Sequence, residues 1–243
     1  MKIRTITTGF NLKIPLKEEK IKLVAEFNNL AKDIFESNGY AVQTTRISTQ
    51  PWEYYLKSKE QIIETVKDLE KLSKKYGLNY FSIGTTYNPK NIHLVYEIIK
   101  NSSSGFCTVS ICDDKTINFE AATQTAKLIK KLSRISLDGF ANLRFAALFN
   151  TKPGSPFYPA AYHKGPTSFA IGLENSDLVY KAFSETRDIQ KASSILKKIL
   201  TDEYKKIESI AKEISKKGKI KYDGIDVSIA TSVNPNESIA YAF

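Results

Sequence analysis

The stretch Lys2-Ile-Arg-Thr-Ile-Thr-Thr8, closed by Gly9, reads as a first β-strand, with Ile3, Thr5 and Thr7 alternating against Arg4 and Ile6. Residues 17–37 follow with Ile21, Val24, Ala25, Phe27, Leu30, Ala31, Ile34 and Phe35 on one helical stripe, and Asn38-Gly39 supplies a left-handed stop. Residues 40–48 then form a second strand. A strand, an amphipathic helix and another strand within fifty residues define a βα unit, and the rest of the chain repeats it. Helical spacing over 58–76 hands over at Gly77 to a strand at 78–85, and a short helix at 92–101 to a strand at 105–112. A helix at 118–135 precedes a strand at 141–149. After an irregular stretch at 150–166 come a strand at 167–174, a helix near 177–183, a long helix from 188 to 217, and a last strand at 222–229. Such units predict right-handed crossovers and a mainly parallel sheet, open and doubly wound or closed into a barrel.

The 243 residues suffice for one large α/β domain, and 42% apolar with 26% charged residues excludes a collagen-like, disordered or disulfide-stapled chain. No run approaches the length of a membrane-spanning helix, and Arg4 and Thr5 interrupt the apolar start that a signal peptide needs, so a cytoplasmic protein with no membrane partner is expected. The net charge of +10 raises nucleic acid as a partner, but only five of the 36 basic residues are arginine. Lysines at 197–198, 205–206 and 216–219 read as solvated helix faces and a helix end, which argues against nucleic acid. Cys107 and Cys112, five apart on one strand, fall on opposite faces and cannot readily bridge or share a metal; a free, buried, structural role is expected for both.

In parallel sheets, function gathers beyond the carboxyl ends of strands. Those ends present Arg46, Thr85 with Thr86, Asp113 with Asp114, Asn150, Glu174, and Asp226 with Ser228. The densest segment is Thr151-Lys-Pro-Gly-Ser-Pro-Phe-Tyr-Pro-Ala-Ala-Tyr-His-Lys-Gly-Pro166, a loop stiffened by four prolines that carries Tyr162 and His163. His163 titrates near neutrality and suits proton transfer, or else bonds within the loop for packing; His93 reads as structural. No metal-binding or phosphate-cradling signature occurs, which leaves a divalent metal held by His163, Glu174 and Asp226 open, with no cofactor named. The tail at 234–243 ends on exposed Ile239, Tyr241 and Phe243 after a cap at Asn236. It is expected to dock on its own domain or to be continued by a second chain, making the single domain over 1–243 incomplete without a partner.

Several blocks resemble one family: residues 2–11, Val42-Gln-Thr-Thr-Arg-Ile-Ser48, Asn142-Leu-Arg-Phe-Ala146, residues 153–163, Phe169-Ala-Ile-Gly-Leu-Glu174 and Tyr222-Asp-Gly-Ile-Asp-Val-Ser228. They are similar to domain of unknown function 711, also called UPF0210, a family grouped with the ten-stranded α/β barrel of pyruvate formate-lyase. The resemblance implies a β/α barrel or half-barrel related to the pyruvate formate-lyase-like fold, with this chain similar to an N-terminal half. It brings no reaction. Lys164 stands where the family often has an acidic residue, and Thr231 where it tends to have proline. No radical-bearing glycine faces a loop cysteine, so glycyl-radical chemistry is not expected.

Three functional readings follow. The first is a non-radical enzyme acting on a small polar or anionic metabolite. In it Arg46, Arg144, Tyr162 and Ser228 bind substrate, His163 transfers protons, and Glu174 and Asp226 serve as base or metal ligands. The second is a non-catalytic metabolite-binding or regulatory protein using the same cleft. The third is an assembly subunit, a homo-oligomer or one half of a barrel completed by another chain.

Overall fold

The structure, a computed structural model, describes residues 1–112 and 116–229. Asp113, Asp114 and the tail with Asn236, Ile239, Tyr241 and Phe243 lie outside the described residues. The elements are β1 (Lys2–Phe10), α1 (Glu18–Ser37), β2 (Thr45–Thr49), α2 (Lys59–Lys75), β3 (Tyr80–Thr86), α3 (Val95–Lys100), β4 (Gly105–Ser110), α4 (Phe119–Leu132), α5 (Phe140–Leu143), β5 (Phe145–Leu148), β6 (Ser168–Glu174), α6 (Ser176–Ser184), α7 (Ile189–Gly218) and β7 (Lys221–Asp226). Short 3₁₀ turns at Trp52–Tyr54 and Pro89–Leu94 precede α2 and α3.

The helices begin where side chains can satisfy their free N–H groups. Ser58 accepts from the Gln61 amide at the start of α2, Asn118 from Ala121 at the start of α4, and Asp188 from Gln190 and Lys191 at the start of α7. Lysines fill the last turns of all three, where the helix dipole favours cations. Gly39, after α1, has φ of 85°, the left-handed stop that the sequence suggests.

The seven strands form one sheet in the order β5-β4-β3-β2-β1-β6-β7. β1 to β5 are parallel neighbours, as βα alternation demands. β6 breaks the rule by pairing antiparallel with β1, Ser168 opposite Gly9 and Glu174 opposite Lys2, and β7 then runs parallel to β6. The cause lies in the Pro-rich connection. A helical crossover carries the chain back to the starting edge of the sheet, whereas residues 149–167 contain no helix and never make that return. The strap leaves β5 at the carboxyl edge, crosses one sheet face, and enters β6 at that same edge, so β6 must run the other way. One consequence corrects the topological expectation. The carboxyl ends of β6 and β7, with Glu174 and Asp226, point to the opposite edge from the carboxyl ends of β1 to β5.

Helices cover only the other face. Ile47, Phe81, Ile83, Cys107 and Val109 pack against Ile62, Val66, Leu69, Val95 and Ile99, while Ile3, Ile6, Phe169 and Ile171 pack against Phe27, Phe35, Ile207 and Ile214. The second cluster is tight: a Cβ on Gly218 would lie 2.4 Å from Cε2 of Phe27, whose ring meets Phe169 edge-on at 5.0 Å. Gly218→Ala is therefore expected to push α7 off α1 and to cost about 1–3 kcal/mol in urea unfolding. A variant as stable as the parent would show that this contact is slack.

Candidate functional site

The strap lies on the face that the helices leave bare, and hydrogen bonds hold it along its length. Thr7 Oγ1 donates to the Pro156 carbonyl at 2.7 Å, Ser82 Oγ to the Ala161 carbonyl at 2.8 Å, and the His163 amide to the Thr49 carbonyl at 2.9 Å. Tyr158 donates its hydroxyl to the Ile47 carbonyl. Within the strap, the Gly154 amide donates to the Tyr162 carbonyl and the Tyr162 hydroxyl to the Thr151 carbonyl, closing a small loop on itself.

This path seats His163 at the carboxyl end of β1. Its ring rests on Gly9, where a Cβ would sit 2.3 Å from Nδ1, so only glycine lets the imidazole approach the strand. The residue is 2% exposed. Nε2 lies 2.9 Å from the Gly165 carbonyl, which can only accept, so Nε2 carries the proton and Nδ1 keeps its lone pair. Burial pushes the imidazole below its ordinary pKa of 6.5, against the opposing effects of the Gly165 hydrogen bond and the Asp223 charge. The ring is neutral at physiological pH, with a base at Nδ1.

Around it is a polar throat of about 10 Å³, room for one water, lined by Thr7, Ser48, Ser155, Ser168 and Asp223 as well as His163. Gly154, Ser155, Ala170 and Asp223 also line an open cleft of about 340 Å³ between the strap and β7, which reaches Asp226. The size suits a small metabolite.

Of the residues singled out in the sequence, His163 lines the throat and Asp226 the adjoining cleft, and neither lines both. Asp226 Oδ1 accepts from the backbone amide and the hydroxyl of Ser228, a local turn at the exposed end of β7. Tyr162 is buried as the clasp of the strap. Glu174 sits four residues along β6 from Ala170 at the edge of the throat, about 13 Å at the rise of a strand. There it accepts from Gln43 at 2.7 Å and Arg4 at 2.9 Å, with Lys2 at 3.4 Å. Burial raises its pKa, but these partners outweigh burial and hold it below the ordinary carboxylate value. Arg46 also faces the strap, beyond Tyr158.

Arg144 is spoken for: Nη1 donates to the Ser102 and Gly105 carbonyls at 2.8 and 3.1 Å, and Nη2 to the Ile99 carbonyl at 2.8 Å. It joins the end of α3 to the start of β4 at 4% exposure. His93 is exposed on its 3₁₀ turn. Cys107 and Cys112 are free and buried, and Cys112 Sγ accepts from the Asn150 amide at 2.8 Å. Among the described residues no three His, Cys, Asp or Glu side chains converge as a metal site.

Sequence reasoning passed over Asp223, Ser48, Ser168 and Gly9. Gly9 gave a usable signal, a small residue ending a β-rich run, but the face it leaves open depends on the strap.

Two outcomes test this placement. Arg144→Ala strips partners from three buried carbonyls and should cost about 3 kcal/mol or more in urea unfolding, as a structural arginine would. A depressed folded pKa for His163 means that the unfolded chain binds more protons below about pH 6.5, so stability should rise with pH up to that value and then level off. His163→Gln should flatten that part of the curve in urea melts between about pH 5.5 and 7.5. Equal slopes in both proteins would show that His163 titrates normally.

The whole chain, residues 1–243, matches the family model described as "Uncharacterised ACR (DUF711)". Curated relatives are UPF0210 proteins: one from Acetivibrio thermocellus is 24% identical and one from Clostridium perfringens 25%, each alignment covering 98% of this chain and 59% of the relative. One from Methanococcus aeolicus is 21% identical over 98% of this chain and 60% of its own length. The chain thus spans about three-fifths of the relatives it matches. Among the described residues no helix is long and apolar enough to cross a membrane. On the strength of a match along its entire length, the chain belongs to the DUF711 family.

Proposed function

We propose that the cleft between the strap and β7 binds a small polar or anionic metabolite, and that His163 Nδ1 accepts a proton from it. One observation carries this reading. A buried imidazole whose Nε2 proton is committed to a carbonyl presents an unprotonated Nδ1 beside a throat walled by hydroxyls and one carboxylate. Asp223 and Asp226 line the cleft, and the Asp223 charge, shared with Lys221, favours the imidazolium formed when Nδ1 takes the proton. The reaction is of acid–base, non-radical type, and a divalent cation held by Asp223 and Asp226 at the cleft mouth is compatible with it.

A ligand screen can begin with the substrate unidentified. Metabolites that raise the melting temperature are incubated with the protein in D₂O and followed by proton NMR and mass spectrometry. Turnover or solvent exchange in the parent, lost in His163→Gln while binding persists, supports an enzyme. Saturable binding with no chemical change in the ligand instead gives the rival reading, a metabolite-binding or regulatory protein. No stabilising ligand at all would overturn both.

The sheet's open edges favour a second, compatible reading. β5 and β7 are its outer strands, and next to them Leu143, Phe149 and Val227 are 63%, 61% and 52% exposed. Five parallel strands followed by an antiparallel β6 and its parallel neighbour β7 fit the beginning of a ten-stranded, pyruvate formate-lyase-like barrel. The open edges suit pairing with a second copy or a separate subunit. Light scattering coupled to size exclusion should then show an oligomer, and a strict monomer at micromolar concentration would count against it. Two free thiols in the described core fit a reducing, cytoplasmic setting.

A further inference from the structure

Arg46 leaves β2 on the strap side, away from the helices, and its surroundings are those of a charge held ready for a partner. Its guanidinium lies 4.9 Å from the ring centroid of Tyr158 and 5.6 Å from that of Tyr80. Both rings pack on Phe106, at 4.8 and 5.3 Å, and the Tyr158 hydroxyl is fixed on the Ile47 carbonyl, so the cradle is rigid. Nε donates to Thr44 Oγ1 at 3.0 Å, which fixes the direction of the fork. The carboxylate on this part of the face, Glu174, is already taken by Arg4, Lys2 and Gln43. Arg46 forms no ion pair among the described residues; burial lowers its pKa most, Tyr158 and Tyr80 oppose that, and the like charge of Arg4 adds to it.

Lys2 and Arg4 share Glu174, and Arg46 has no carboxylate partner among the described residues. A guanidinium partly stripped of water beside a second one is unfavourable in the empty protein. Aromatic stacking offsets some of that cost but leaves the Nη hydrogens without acceptors, and a planar fork with free Nη groups matches an oxyanion in two-point contact. Thr7, opposite Arg46 in the sheet, is bound to the Pro156 carbonyl and walls the His163 throat, while Tyr158 of the strap lies over Arg46 itself.

We infer that Arg46, assisted by Arg4, forms a second ligand site that binds the oxyanion of a small molecule, a phosphoryl or carboxylate group. The site is independent of proton transfer at His163.

The experiment titrates the full chain with inorganic phosphate, and separately with malonate, by calorimetry in chloride buffer of constant ionic strength. Saturable binding is expected, weakened about tenfold or more by Arg46→Gln and unchanged by His163→Gln. The tighter of the two anions identifies the ligand class. Should Arg46→Gln fail to fold, the parent protein still gives an answer, because its five arginines give few Nε–Hε signals in a nitrogen–proton NMR spectrum. The bound anion should move the Arg46 signal most. Absence of saturable binding by either anion, equal binding by folded Arg46→Gln, or a largest shift at an arginine other than Arg46 or Arg4 would overturn the inference. Loss of metabolite turnover at His163 with phosphate binding intact would leave it standing.

Discussion

The strap from residue 149 to 167 constrains everything else in this molecule. Because it crosses the sheet once and does not return, it reverses β6, and the reversal splits the polar groups of the inner face into two districts. Its anchors explain why the crossing is stable. Four carbonyls between the strap and the strands, at Pro156, Ala161, Ile47 and Thr49, receive a donor from the other side. A loop packed over a sheet would otherwise bury unpaired backbone groups at about 1–3 kcal/mol apiece.

The two districts differ in how they treat charge. Near the carboxyl ends of β1 and β2, burial disfavours the charged form of His163, a cost that the Gly165 carbonyl and the Asp223 charge offset in part. Toward the amino ends, Glu174 is held ionised by Arg4, Gln43 and Lys2, while Arg46 stays charged between two rings. Of the abundant lysines, Lys2 pairs with Glu174 and Lys221 with Asp223. Those on α7 line its exposed side, where Lys206, Lys212 and Lys217 pair with Glu203, Glu208 and Glu213 in bridges that contribute little to stability.

Arg144 and Glu174 show how a residue type can mislead. Both are charged, both lie in blocks that resemble the DUF711 family, and neither side chain reaches the cleft. Arg144 satisfies three carbonyls where α3 meets β4, and Glu174 neutralises the start of β1. Asp223 lies in such a block too, was not singled out there, and lines both the throat and the cleft.

Local pattern was enough to determine the helices, most strands and the parallel run from β1 to β5, because periodicity, capping residues and βα alternation act over short spans of chain. The same reasoning marked the Pro-rich segment as the place where function concentrates, since four prolines limit its conformations in any fold. The direction of β6 is a different matter. It depends on whether the strap makes a return trip across the sheet, which no periodicity encodes. The neighbours of His163, Arg46 and Glu174 depend on it in turn, because contacts between residues more than a hundred positions apart are set by strand order and register, and those only the folded molecule decided.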